Sequence, residues 1–277
     1  MKLKLFAYST IFILMFTLWS CDDDSPTGPD LDDAPAAPSM ENVSMDFSIF
    51  DGANQFKQLD ANSTSTFSEE IGQLQQNGLT SYEQAAIHAI TAQFWFEIMS
   101  AFPTTFFQEQ QWGDPKVDGN TWIWEWSHSF EGESVSMVIT AETTGDERHW
   151  ELRYSTQGME EELDNALFLS AQVSLDESYG QWQMYDFMDE TTPVFEIKYE
   201  LDGEVTTLVD FAFDQENDGR FLYEREGEII SLFFGDVVDG QGLIQWNNET
   251  GVGFIESPGY RDGERVCWDE NFQNTEC

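Results

Sequence analysis

From Thr121 almost to the C-terminus, the sequence alternates between apolar and polar residues. Trp122, Trp124 and Trp126 share one side of the first such segment, and the same period of two continues in the segments that follow. Successive side chains of a strand point to opposite faces, so this period indicates a sheet that is apolar on one face and wet on the other. Turns that carry glycine separate the segments, which predicts antiparallel strands joined by hairpins.

A helical stretch precedes the alternating region. Ser81 opens it with Gln84 three residues later, a capping-box arrangement, and the pattern ends at Phe102 because Pro103 follows. Its apolar residues leave only a thin polar seam, so we expect a largely buried helix. Val43 to Phe50 also alternates and predicts an additional first strand.

These patterns together define a fold class. The spacing between the segments leaves no room for crossover helices, which argues against a parallel α/β fold. A sheet of roughly ten or more strands has to curl, split or close to hide its apolar face. We therefore predict a mainly β (α+β) fold, in which a large antiparallel meander forms a curled sheet or half-barrel packed on one early buried helix.

The N-terminus carries a targeting pattern. Lys2 and Lys4 precede an apolar run of roughly 15 residues, which is short for a membrane span of about 20. With Leu18 to Cys21, this stretch resembles the signal of a bacterial lipoprotein. The resemblance implies cleavage after residue 20 and lipidation of Cys21. A plain signal peptide and an uncleaved anchor are the alternatives.

Residues 21–40 are acidic and rich in proline, which predicts a tether between Cys21 and a single β-rich globular domain at 41–277. An acidic run directly after the lipidated cysteine also resembles the surface-export signal of some lipoproteins. The expected location is a membrane anchor at the outer membrane, facing the periplasm or the cell surface, and not the cytoplasm.

The charge balance excludes one class of partner. The chain has 11 Lys and Arg against 53 Asp and Glu, a formal net charge of -42. Nucleic acid is therefore not an expected partner, because binding it requires clustered cations. The acids are dispersed, which favours a solvated surface suited to a saline setting over a dedicated cation site. Protein partners are not predicted.

After Cys21 the only cysteines are Cys267 and Cys277. An isolated pair in an exported protein predicts a disulfide, and with no histidine nearby in sequence it does not resemble a zinc site.

Catalytic patterns are missing from the sequence. It contains no Gly-x-Ser-x-Gly elbow, no glycine-rich phosphate loop before a helix and no His-Glu-x-x-His pair. No catalytic residue is assigned, although a hydrolase that uses two carboxylates, such as a glycosidase, stays an alternative.

Two groups of residues are candidate binding sites. Trp122, Trp124 and Trp126 form an aromatic row, which either packs in the core or contacts a ligand. Asp214, Glu216 and Asp218 precede a glycine as in the opening of an EF-hand calcium loop, but the twelfth position is Arg225 instead of glutamate. A solvated hairpin loop is the alternative to calcium there, and no other cofactor is expected.

The order of an early helix and a long meander on a lipid-tethered chain resembles the half-barrel of periplasmic lipoprotein carriers and, less closely, lipocalins. The resemblance is one of layout, and it implies a hydrophobic ligand between sheet and helix. We therefore expect a lipid-anchored, non-catalytic module for binding or display, with an apolar or glycan ligand. The hydrolase and a purely structural surface protein are the alternatives.

Overall fold

The computed structural model describes residues 34–52, 78–106, 113–160, 162–213, 219–236 and 240–277. Pro35–Cys277 forms one compact unit. The predicted signal peptide at 1–20 and the lipidation site Cys21 lie outside the described residues, so both stay predictions. At the C-terminal end of the predicted tether, Pro38 and Met40 are buried in the compact unit.

One antiparallel sheet dominates the described chain, and each of its strands pairs with its neighbours in the sequence. This order confirms the predicted mainly β meander with one early helix. The 14 strands are β1 Lys116–Asp118, β2 Thr121–Phe130, β3 Glu133–Thr144, β4 Glu147–Gln157, β5 Ala166–Ser174, β6 Tyr179–Asp186, β7 Asp189–Asp202, β8 Val205–Phe213, β9 Gly219–Glu226, β10 Ile229–Asp236, β11 Gly240–Asn247, β12 Gly253–Glu256, β13 Val266–Trp268 and β14 Asn274–Thr275.

The two faces of the sheet differ in burial, as the period of two predicts. One row of paired residues runs from Ala141 on β3 through Trp150 and Ala171 to Trp182 on β6, and all four are buried. We call the face that carries this row the inner face. The opposite, outer face carries His149 and Gln172 in the same strands, and neither is fully buried.

Helix α1 (Ser81–Phe106) packs on the inner face of the later strands. The Phe96 ring lies 6.1 Å from the Phe211 ring of β8, and the His88 ring is stacked on Phe234 of β10 at 3.9 Å. Alanines on the helix let it approach the sheet closely; the four at 85, 86, 89 and 92 have no exposed surface. No helix in the described ranges is long and apolar enough to cross a membrane.

The predicted end of this helix is wrong, because α1 continues through Pro103 to Phe106. A proline removes one backbone donor, and in the last turn this loss affects a single hydrogen bond instead of breaking a long helix.

The capping box lies one residue earlier than predicted. The Glu83 carboxylate accepts from the Thr80 N–H at 2.8 Å, and the Thr80 hydroxyl accepts from the Glu83 N–H at 3.2 Å. Ser81 instead donates from its N–H and hydroxyl to Asn274 Oδ1 at 2.8 and 2.7 Å. The start of α1 is therefore tied to β14.

The strand predicted at Val43 to Phe50 is also wrong, because the region is irregular and ends in the short 3-10 helix Ser48–Gly52. Phe47 and Phe50 are buried, and both pack against Trp246 at 5.8 and 5.3 Å.

Side chains distant in sequence take the place of a strand partner in this segment. The Ser44 N–H donates to the Thr206 hydroxyl at 3.0 Å and the Asp46 N–H donates to the Tyr223 hydroxyl at 3.3 Å.

Cys267 and Cys277 form the predicted disulfide, with Cα atoms 5.2 Å apart. It joins β13 to the residues that follow β14. The end of the chain is thereby fixed beside the start of α1.

Candidate ligand-binding site

The three tryptophans of the predicted row lie side by side on β2. Trp122 pairs with Ala141, Trp124 with Ile139 and Trp126 with Met137 of β3. Those β3 residues are buried on the inner face, so the row belongs to that face as well.

The row differs in exposure from the other tryptophans of the inner face. All three row residues are half-buried. In contrast, the exposed fraction is 3% for Trp150, 0% for Trp182, 1% for Trp246 and 0% for Trp268. The sheet therefore leaves part of its aromatic surface open at β2, and we call Trp122, Trp124 and Trp126 the tryptophan margin.

The position of β2 in the sheet explains this exposure. On the edge of β2 that faces away from β3, strand β1 pairs only with Thr121 to Ile123, through a short hairpin. Pro115 comes directly before β1 and has no N–H to donate, so it does not extend the ladder toward Trp124. Within the described ranges, β2 from Trp124 onward has a strand partner on one side only.

Ring contacts connect the margin to the core. The Trp124 ring is stacked on the buried Trp150 ring at 5.6 Å, with an angle of 21° between the planes. The Trp126 ring is nearly parallel to the ring of His128 at 6.1 Å. His128 is exposed near the end of β2. The tryptophan margin therefore lies between the buried indole of Trp150 and the exposed imidazole of His128.

The inner face also carries a positively charged side chain near the tryptophan margin. Arg148 lies on the inner face of β4, two residues before Trp150, and its Nε atom is buried without a hydrogen-bond partner. The sequence motifs predict no role for this residue. Its signal in the sequence is its place in the alternation, because Arg148 shares the apolar parity of Trp150, Leu152 and Tyr154.

The predicted calcium ligands Asp214, Glu216 and Asp218 lie outside the described residues, so this site stays a prediction. The acceptor side chain of a different turn, at residues 247–250, is occupied by contacts within that turn. Asn247 Oδ1 accepts from the N–H groups of Glu249 and Thr250 at 3.1 and 2.8 Å. In the parts of the chain that the structure describes, no group of three or more His, Cys, Asp or Glu side chains is arranged to hold a metal ion.

The outer face carries a network of amides and carboxylates. Glu196 accepts from Gln181 and Gln183 at 2.7 Å each and pairs with Lys198 at 2.7 Å. Burial alone would raise the pKa of Glu196, but these donors outweigh it and hold the pKa below its usual value. Glu147 accepts from Tyr179 and Gln172, which lowers the pKa of that carboxyl.

The pKa values of these carboxyl groups are shifted in the wrong direction for a general acid. A general acid of a glycosidase needs a raised pKa, so that it keeps its proton near neutral pH. Within the described residues, every carboxyl with a displaced pKa has it displaced downward: Asp46, Glu147, Asp176, Asp189 and Glu196. This part of the chain gives the hydrolase alternative no support.

A polar depression lies away from the tryptophan margin, near the β4–β5 connection. Ser134, Ser136, Ser155 and Glu162 are among its lining residues. Its hydroxyl and carboxylate lining makes it unsuited to an apolar ligand.

Comparisons with models of protein families, with curated proteins and with solved structures find no match to this chain.

Proposed function

We propose that this protein is an exported, lipid-anchored binding module, and that its tryptophan margin holds an apolar ligand. The observation that carries the proposal is the half-burial of Trp122, Trp124 and Trp126 on a face whose other tryptophans are buried. Covering these partly exposed indole rings with a ligand should favour binding by roughly 25 cal/mol for each Å² of apolar area removed from water.

The ring geometry favours an apolar ligand over a glycan. A sugar ring stacks on an open indole face, but Trp124 already has Trp150 on one of its faces at 5.6 Å. The margin also continues directly into buried aliphatic residues, since Ile139 and Leu152 are paired neighbours on the same face. An alkyl chain can cover the half-buried rings of the margin without hydrogen-bond donors or acceptors.

Binding can be measured through the fluorescence of the margin itself. An undecanol tipped with bromine quenches indole fluorescence on contact, and we expect saturable quenching by this probe. The double variant Trp122→Ala/Trp126→Ala should weaken binding at least tenfold. Ile123→Ala is the matched control, because Ile123 lies between these residues on the outer face of the same strand.

The outcomes separate the alternatives. Saturable binding of a neutral hexasaccharide, without binding of the alcohol, would assign the margin to a glycan. Failure of both probes to bind would refute a ligand site at the margin and leave the structural role.

The anchor is tested separately. Cys21→Ala should move the protein from the membrane fraction to the soluble fraction of cells, because two or more acyl chains hold a protein stably at a membrane. Mass spectrometry of the wild-type N-terminus should find Cys21 as the first residue, carrying acyl chains. An unmodified Cys21, or a variant that stays with the membrane, would refute lipid anchoring.

A further inference from the structure

Most of the described cations of this acidic chain pair with a carboxylate. Six described Lys and Arg residues pair with a carboxylate: Lys116, Arg153, Lys198, Arg220, Arg225 and Arg265. Arg261 lies over the Tyr260 ring at 5.8 Å. Arg148 has neither kind of contact with any residue that the structure describes, and its Nε atom is buried.

Arg148 lies on the inner face, among uncharged neighbours. It pairs with Thr143 of β3 and with Val173 of β5, and neither offers a carboxylate. Two residues further along β4 on the same face is Trp150, on which the Trp124 ring is stacked. Ala141 and Thr143 are small, so only short side chains of β3 separate Arg148 from Trp122.

Leaving the buried Nε–H of this guanidinium without an acceptor is costly. A buried donor that loses water and gains no partner destabilises the folded state, and more so when it is charged. The chain has 53 acidic residues, so acceptors are abundant, yet the sheet places none beside Arg148. An acceptor that arrives with a ligand would satisfy the guanidinium.

We infer that Arg148 binds the carboxylate of an amphiphilic ligand whose apolar chain lies along the half-buried tryptophan margin. A guanidinium matches a carboxylate through two parallel hydrogen bonds. A single arginine neutralises one negative charge, whereas a doubly charged phosphate would keep a net charge within an acidic domain. This inference rests on the proposed function, because it names the head group of the ligand held there.

The test compares two probes with one chain length. Undecanoate and undecanol, each tipped with bromine at the far end, differ only in the head group. Wild type should bind the carboxylate at least tenfold more tightly than the alcohol, and Arg148→Gln should bind the two equally. Arg148→Lys keeps the charge without the planar fork, and we expect an intermediate preference.

Arg265→Gln is the matched control, because it removes the same charge from a pair with Glu256. It should keep the wild-type preference for the carboxylate. Raising the salt from about 0.15 M to about 1 M should not abolish this preference, since salt screens the charge of the whole domain more strongly than a partly buried pair.

The two proposals fail in different ways. If neither probe quenches the tryptophans, the proposed function is wrong. If wild type binds both probes equally, or if Arg148→Gln keeps the preference, the ligand site stands but Arg148 only extends its end to water. The wild-type comparison needs no variant, so misfolding of Arg148→Gln would not leave the question open.

Discussion

The two margins of the sheet use tryptophan in opposite ways. At the C-terminal margin, Trp268 has no exposed surface, and its Nε1–H donates to the Gly251 carbonyl at 2.6 Å. Its ring packs edge-on against Tyr82 of α1 at 6.0 Å. At the N-terminal margin, Trp122 and Trp126 are half-buried. The same residue type is thus a structural part at one margin and an accessible surface at the other.

The two margins differ in the structural elements that pack against them. At the C-terminal margin, a disulfide joins β13 to the residues that follow β14, α1 contacts β12 and β13, and Asn274 of β14 accepts from Ser81. The N-terminal margin has a three-residue strand, β1, beside it. Stability is therefore concentrated where the helix sits, and the other margin has surface left for binding.

Replacing one tryptophan at each margin should give the largest contrast. Trp268→Ala should lower the free energy of unfolding by about 3–5 kcal/mol, because it leaves a cavity between the sheet and Tyr82. Trp122→Ala should lower it by only about 1 kcal/mol, since the side chain is half-buried. Urea unfolding measures both values, and equal losses would contradict the proposed difference between the margins.

Removing the disulfide should have the next largest effect. The double variant Cys267→Ser/Cys277→Ser should lose about 2–3 kcal/mol, because the crosslink restricts a short loop in the unfolded chain. Quenching of the tryptophan margin by its probe should not change, since the disulfide lies at the opposite margin. Loss of binding together with stability would show that the two margins are coupled.

His88 makes the helix-covered region sensitive to acid. Burial against Phe234 lowers the pKa of His88 to about 4. Between the unfolded value of about 6.5 and this folded value, the unfolded chain binds more protons. Stability should therefore fall as the pH falls through this range, by about 2 kcal/mol for a half-buried residue.

The variant His88→Gln isolates this effect from the titration of the many carboxylates. The stability difference between wild type and variant should change between pH 7 and pH 4 in favour of the variant. A difference that does not vary with pH would place the His88 imidazole in contact with water.

The link between β14 and the helix start should give the smallest effect. Asn274→Ala removes the acceptor for the Ser81 N–H and hydroxyl and should cost about 1 kcal/mol. Asn274→Asp keeps the acceptor and adds a negative charge beside a helix N-terminus, so it should be neutral or stabilising. Thermal unfolding of the two variants checks the order, and an equal loss in both would contradict it.

The sheet could be predicted from the sequence because the patterns that indicate strands and turns are local. Phe195, Ile197 and Tyr199 of β7 alternate with Glu196 and Lys198, and the structure buries the first three. Period and turn residues operate within one hairpin, and a meander consists only of neighbouring hairpins.

The wrong predictions involve partners distant in sequence. Val43 to Phe50 has the period of a strand, but Thr206 and Tyr223 supply acceptors for its backbone. The helix start resembles a capping box at Ser81, but Asn274 takes the N–H and hydroxyl of that residue. No local pattern contains this information.

The candidate site was predicted in part. The sequence identified Trp122, Trp124 and Trp126 as one row, but their exposure depends on β2 lying near an edge of the sheet. Arg148 was missed, because a single arginine within an alternating strand resembles an ordinary surface residue until its face is known.

The chain order of the strands has a consequence for the folding of a newly made chain. Each strand can pair with the previous one as soon as it has been synthesised, because its partner in the sheet is its neighbour in the sequence. Helix α1 is synthesised early, but the strands β12 and β13 that it contacts are synthesised near the end. Until β12 and β13 are made, α1 lacks its contacts with these two strands, and a truncation that removes them should leave part of the helix uncovered and open to quality-control proteases.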